Sequence, residues 1–249
     1  MHIPNELLEN LSKAEHIAAL TGAGVSAESG IKTFRDPDGL WSKLNPQELA
    51  SIDGFMANPD LVWSWYQHRL EIVEKTKPNP GHFALAEMEK MFPEFTLITQ
   101  NVDRLHHKAG SKTVWELHGN LEENHCQQCK KKYEGETDLS DKELPVCPEC
   151  GGLIRPSVVW FGEMLPMDAI NAADQAARTC DIFFSVGTSA EVYPAANIPI
   201  IAKQSGAILV EVNPNHTVLS DYADFKLGAS SGIALPKLLE KYKEFIGDN

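Results

Sequence analysis

Four cysteines fall into two pairs, Cys126/Cys129 and Cys147/Cys150, with 17 residues (130–146) between the pairs. Thiolates at this spacing suit tetrahedral zinc, because each CxxC turn offers two sulfurs on one side. Four filled positions leave none for water or substrate. The metal is therefore expected to be structural, holding together a module too small for a good core. The competing reading is two free or redox-active CxxC pairs. His125 could replace a cysteine as ligand, although a neighbouring surface histidine fits better. Cys180 stands alone at the start of an apolar run and reads as a small core residue.

A second constellation lies at residues 21–36, TGAGVSAESGIKTFRD, directly after the apolar run 16–20. GAGVSA, 22–27, satisfies the GxGxxA spacing. A strand that enters a glycine turn and then a helix brings backbone N–H groups close to a phosphate, so the loop proposes a dinucleotide. A dehydrogenase would also place an acidic residue about 20 positions on, at the end of a second strand. Here residues 41–50, WSKLNPQELA, do not read as a strand, and Glu48 sits in a polar, helix-like context. Hydride transfer is disfavoured; a dinucleotide is not.

Polar groups also follow other apolar runs: TQNVDR at 99–104, ELHGN at 116–120, Gly187-Thr188-Ser189 and Asn213-Pro214-Asn215. In an open parallel sheet, ligands bind beyond the carboxyl ends of the strands. His118 is the histidine in such a position next to a glycine, and could act as a general base near neutral pH. Tyr66 and Arg69 share one face of an expected helix. An arginine beside a phenol can hold a carboxylate through paired, charge-assisted hydrogen bonds. On spacing alone, such a pair is more often a surface pair.

These groups need elements to position them. Residues 5–14 read as a short helix and 16–20 as a buried strand. The span 58–76 reads as an amphipathic helix, capped by Asn58 with Pro59 in its first turn. Pro78 and Pro80 are expected to break the chain before a helical pattern at 82–92. Apolar runs at 95–99, 113–117, 181–186 and 207–212 read as buried strands. Their alternation with helix-like sequence predicts an α/β fold, a parallel sheet with helices on both faces. The polar, lysine-rich stretch 122–150 interrupts this pattern as an insertion with its own stabilising device.

The 249 residues suffice for one large domain, or for a large and a small one. The 35 acidic and 22 basic residues give a net charge of −13, which argues against sequence-independent nucleic-acid binding. The N-terminal sequence has no basic region followed by an apolar core, and no apolar run approaches the ~18 residues of a membrane span. With CxxC pairs pointing to metal rather than disulfides, the expected compartment is the cytoplasm.

Taken together, GAGVSAESGI with FRD, TQNVD, ELHGN, the CxxC pairs, VVWFGE (158–163), GTS (187–189) and NPN (213–215) resemble the sirtuin family, the NAD-dependent protein-lysine deacylases. The matches run in family order from about residue 15 to residue 236. The resemblance implies a Rossmann-like large domain (1–35, 81–121 and 158–249). Its small domain would comprise a helical module (36–80) and a zinc module (122–157), with NAD between the domains. It places Gly22, Ala23, Glu28, Phe34 and Arg35 around NAD, with Phe34 near the nicotinamide. Gln100, Asn101 and Asp103 would line the ribose and nicotinamide pocket. Gly187, Ser189 and Asn213 would hold the adenosine half, with Thr188 and Asn215 beside them; Ser231 is a further adenine contact.

The chemistry implied by the resemblance begins with the acyl oxygen of a modified lysine attacking C1′ of the nicotinamide ribose, and nicotinamide leaves. His118 then removes a proton from the ribose hydroxyl system, and that hydroxyl attacks the acyl carbon. Asn101 and Asp103 complete the catalytic set. Water releases free lysine and O-acyl-ADP-ribose. The peptide would add as a strand against Val159, Trp160, Phe161, Gly162 and Glu163, and the loop near Glu191–Tyr193. Tyr66-x-x-Arg69, the small Ala50 and the spelling AESGIKTFR resemble the class III branch, which removes succinyl and malonyl groups. The rivals are a plain deacetylase, an ADP-ribosyltransferase on the same NAD site, and a non-catalytic NAD-sensing module.

Overall fold

The run His16–Thr21 forms the first strand and is buried from end to end. A strand with no exposed face needs cover on both sides, and that need organises the molecule. The structure, a computed structural model, describes residues 1–33, 45–135, 137 and 144–247. In chain order its elements are α1 (Asn5–Lys13), β1 (His16–Thr21), α2 (Ala23–Ala27), α3 (Pro46–Leu49), α4 (Ile52–Ala57), α5 (Pro59–Lys75), α6 (Pro80–Met91), β2 (Glu94–Thr99) and α7 (Leu105–Lys108). They continue with β3 (Val114–Glu116), β4 (Gly119–Cys126), β5 (Lys132–Tyr133), β6 (Ile154–Val158), α8 (Met167–Thr179), β7 (Ile182–Val186), α9 (Ile198–Gln204), β8 (Ile208–Val212), β9 (Phe225–Leu227) and α10 (Ser231–Gly247).

Six strands form one sheet in the order β3-β2-β1-β7-β8-β9, and every pairing is parallel. The alternation of side chains along β1 serves two cores. Ile17 and Ala19 pack with Leu7, Leu11, Leu85, Met88 and Leu238, from α1, α6 and α10. Ala18 and Leu20 pack with Ala173, Ala177, Ile198 and Ala202, from α8 and α9. The chain leaves β1 toward β2 and β3, then returns to β7 on the other side. That reversal, between β1 and β7, is where ligands bind in open parallel sheets, beyond the carboxyl ends of the strands. This is the expected α/β, Rossmann-like architecture.

A smaller antiparallel sheet, β5-β4-β6, stands beside it. It shares a third core with the helices before it: Leu49, Phe55, Val62 and Trp63 pack with Leu121, Ile154 and Val158. The Trp63 indole donates to the Ile154 carbonyl at 2.9 Å. The expected helix over 58–76 is α5, with the Asn58 side chain accepting from Leu61 N–H at 3.2 Å. Pro80 does not break the chain. It occupies the first turn of α6 behind the Asn79 cap, where a missing N–H costs nothing, so that helix starts earlier than expected. No helix among the described residues is long and apolar enough to cross a membrane.

Candidate active site

Glycines let the loops after β1 and β7 interlock. Gly22 N–H donates to the Val186 carbonyl at 3.0 Å, and Gly24 N–H to the Gly187 carbonyl at 2.8 Å. A Cβ on Gly22 would lie 2.8 Å from the Gly187 oxygen, and one on Gly24 2.7 Å from it. Gly187 itself sits at φ +61, where a side chain is strained. Larger residues here would force the two loops apart. Ala23 opens α2 immediately after Gly22. Phe34 and Arg35 lie outside the described residues.

Ser26, on α2, gathers the loop after β2. Its hydroxyl donates to Asp103 Oδ2 at 2.7 Å and accepts from Asn101 Nδ2 at 3.1 Å. Asn101 Nδ2 also donates to the Gly22 carbonyl, and Asp103 Oδ1 accepts from Leu105 N–H. Behind them lie two buried histidines with ring centres 4.9 Å apart. His82 Nδ1 accepts from Asn79 N–H, which leaves its proton on Nε2, 3.4 Å from Ser26 Oγ. Thr21 donates to Thr99, which leaves its lone pair for a proton on His106 Nε2, and His106 Nδ1 has no hydrogen-bond partner among the described residues.

Burial outweighs the nearby Asp103 and Glu28 carboxylates and holds the His82 pKa down at about 4. Burial first, and the neighbouring His82 and His107 after it, push His106 well below its ordinary value. Both rings stay neutral in the fold. Below pH 6.5 the unfolded chain binds protons there that the folded chain refuses, so stability falls as the pH drops from 6.5 toward 4. A series of urea midpoints across that window should decline toward acid. A flat series would remove these rings from the explanation.

His118 follows β3, and its Nδ1 lies 3.0 Å from the Gln100 carbonyl oxygen. A carbonyl only accepts, so Nδ1 carries the proton and Nε2 presents a lone pair. Burial lowers the pKa of this ring, opposed by the bond to Gln100, so it is a neutral base at pH 7. Arg104, left-handed at φ 55, reaches from beside Asp103 to Glu116 at 3.2 Å and Glu123 at 2.9 Å. Glu116 lies just ahead of His118, so the loops bearing Asp103 and His118 are tied together. Gln100 Nε2 donates to Thr188 Oγ1, and Asn213 Nδ2 to the Thr188 carbonyl. Asn213 Oδ1 accepts from Asn215 N–H. Ser189 continues the same loop. Glu28 and Ser231 meet elsewhere, at the amino end of α10, where Glu28 accepts from Ser230 Oγ and Gly232 N–H, each at 2.7 Å.

The segment 159–163 runs from His118 to the helical module. Val159 N–H donates to the His118 carbonyl, and Phe161 N–H to the carbonyl of buried Ala50, both at 2.9 Å. Glu163 takes both Arg155 nitrogens at 2.8 Å and the Trp160 N–H at 2.8 Å. Trp160 is 2% exposed and its indole donates to the Tyr66 oxygen at 2.7 Å. Trp160 and Glu163 therefore brace the segment from within, while Phe161 and Gly162 are exposed. Burial pushes the Tyr66 phenol up to about 12, so it keeps its proton. The Arg69 guanidinium lies 4.8 Å from the Trp65 ring centre and 5.9 Å from that of Tyr66.

The sulfurs of Cys126, Cys129, Cys147 and Cys150 all lie within 4.8 Å of one another. Two of their edges measure 3.4 and 3.7 Å, against about 3.8 Å for thiolates around tetrahedral zinc. Gln128 and Cys129 N–H groups both point at Cys126 Sγ at 3.4 Å, as donors to a thiolate would. The donor set fits a structural zinc. His125 is not a ligand, nor is it fully exposed: it is half-buried on β4, 2.9 Å from Ser157 Oγ. Cys180 is buried in the α8–α9 core. Sequence reasoning does not single out Ser26, His82, His106, Arg104 or Arg155. Ser26 lies inside the glycine motif, and His82 is three residues beyond a capping Asn79; the others carry no local signal.

The Sir2 family matches residues 22–194 of this chain. An NAD-dependent protein deacylase of Aquifex aeolicus (strain VF5) is 51% identical over 240 residues, which cover 94% of this chain and 98% of that protein. A solved Sir2 homologue in complex with NAD superposes with a TM-score of 0.91 at 44% identity, covering 98% of this chain and 95% of that one. A Sir2 solved with a deacetylated p53 peptide and 3′-O-acetyl ADP ribose matches with a TM-score of 0.87 at 37% identity, over 95% of this chain and 97% of that one.

Proposed function

The chain belongs to the Sir2 family, and on that premise we propose that it prefers lysines carrying succinyl or malonyl groups, with acetyl-lysine a weaker substrate. It is an NAD-dependent protein deacylase with a structural zinc, acting on peptide substrates. NAD supplies a ribose activated by its nicotinamide leaving group, and a ribose hydroxyl that takes up the acyl group. Gly22, Ala23, Glu28, Phe34 and Arg35 would surround NAD, with Phe34 near the nicotinamide, and Gln100, Asn101 and Asp103 would line the ribose and nicotinamide pocket. Gly187, Thr188, Ser189, Asn213 and Asn215 would hold the adenosine half, with Ser231 a further adenine contact. His118 accepts the hydroxyl proton on Nε2, since Nδ1 is committed to Gln100. The peptide would lie along 159–163, opposite Glu191–Tyr193. We read residues 1–35, 81–121 and 158–249 as the NAD-binding part, with 36–80 and 122–157 as the helical and zinc modules. The four thiols at a metal site support a reducing compartment, the cytoplasm.

The acyl reading is carried by one observation: a buried phenol and a guanidinium on one face of α5, in the core that also holds Ala50. A carboxylate only accepts hydrogen bonds, and both of these groups donate. A hydrogen bond to a charged group contributes about 1.5–3 kcal/mol, or roughly 10- to 150-fold in rate. Arg69→Met should lower kcat/KM for a succinyl-lysine peptide by that factor and affect an acetyl-lysine peptide much less. An unchanged succinyl rate would return the pocket to neutral acyl groups.

A further inference from the structure

A phenol has one proton to give and lone pairs with which to receive. An indole N–H can only donate. In the 2.7 Å contact between Trp160 Nε1 and Tyr66 Oη, tryptophan is therefore the donor and tyrosine the acceptor. The Tyr66 proton must point elsewhere. Among the described residues, Tyr66 Oη donates no hydrogen bond; its one hydrogen bond there is the one it accepts from Trp160. Tyr66 is 3% exposed, so water is a poor substitute. A buried donor without an acceptor is costly, and a ligand that supplies the acceptor removes that cost.

The indole has little freedom to turn away. The Arg155 guanidinium lies 3.3 Å from the ring centre of Trp160, and Arg155 is itself 1% exposed and fixed by Glu163. The Phe55 ring packs on Trp160 with centres 5.3 Å apart. Trp65 meets Tyr66 edge-on at 4.6 Å. A rigid indole thus fixes the polarity of a rigid phenol.

We propose that Trp160 is a specificity-determining residue, which selects acyl groups ending in a hydrogen-bond acceptor by committing the Tyr66 hydroxyl to donate. Without the indole N–H, the hydroxyl could rotate and present either its proton or its lone pairs. The inference rests on the acidic-acyl reading above and adds a residue to it. Trp160 acts through Tyr66 and is a positioning residue for the acyl terminus.

The test is a mutant cycle on the succinyl-to-acetyl ratio of kcat/KM. Wild type, Trp160→Phe, Tyr66→Phe and the double variant are compared on the same peptide sequence. Trp160→Phe should lower the ratio about tenfold, and Tyr66→Phe at least as much. The double variant should match Tyr66→Phe alone, because an absent hydroxyl cannot be oriented. A purely structural role for Trp160 would lower both substrates alike and leave the ratio standing. Should Trp160→Phe fold poorly, β-(3-benzothienyl)alanine at position 160 keeps the bicyclic shape and removes only the N–H; the same tenfold fall is expected. An unchanged ratio in a folded variant, or additive effects in the double variant, overturns the proposal. If wild type and Tyr66→Phe show no succinyl preference, the acidic-acyl reading falls and this proposal with it. If Tyr66→Phe moves the ratio and Trp160→Phe does not, only the role of Trp160 falls.

Discussion

His118→Ala should lower kcat by about 10²- to 10⁴-fold and leave NAD binding in place, the range expected for removing a general base. The reason is the chemical state of its neighbours. Asp103 uses one oxygen on Ser26 and the other on Leu105 N–H. Asn101 and Gln100 do not titrate. His82 and His106 are neutral but buried behind Ser26. Among these groups, His118 combines a proton fixed on one nitrogen, a lone pair on the other and a ring that is not fully buried, whereas His82 and His106 are. Because burial lowers its pKa, the base form predominates at pH 7, and the acid limb of kcat/KM falls below the ordinary histidine value of 6.5. Steady-state rates across pH 5–8 and calorimetric titration with NAD would check both halves of the prediction. A variant that turns over within tenfold of wild type would place the base elsewhere.

Loss of zinc should have the other large effect. The metal-bearing sheet has one strand of only two residues, β5, and little core of its own. Structural zinc contributes about 10–16 kcal/mol of apparent folding energy in small peptides, as much as a whole domain's usual stability. Chelation, or Cys126→Ser, should therefore unfold β4–β6. The damage spreads through the shared core and the Trp63–Ile154 bond to α5, which carries Tyr66 and Arg69. Deacylation should fail although no cysteine touches His118. Tryptophan fluorescence reports it directly, since Trp63 and Trp160 belong to that core. Readdition of zinc to the chelated wild type should restore signal and activity. A metal-free chain with unaltered fluorescence and melting would refute the structural role.

Local chemistry was the legible part of this sequence. The cysteine spacing announces a metal because both turns are short and self-contained. The strand ends are visible because each polar group follows an apolar run. Asn58-Pro59 marks a helix start in two residues. The same signal at Asn79-Pro80 is easily missed, since Pro78 beside it suggests a break. β9 has three residues and too little pattern to be seen. The long-range bonds had no local trace at all. Trp160 and Tyr66 meet across 94 positions, and His82 reaches Ser26 across 56. Both depend on how the small sheet and α6 pack, which no spacing rule encodes. Tyr66 and Arg69 could be placed on one helix face from their spacing. That the phenol would be buried and already hydrogen-bonded could not.

The most direct test of acyl transfer onto the ribose of NAD is mass spectrometry of the nucleotide formed from NAD and a succinyl-lysine peptide, with an acetyl-lysine peptide beside it. Expected are equal amounts of nicotinamide, free-lysine peptide and O-succinyl-ADP-ribose, formed faster than the acetyl products. Nicotinamide release with the peptide still acylated and ADP-ribose attached to protein would contradict it.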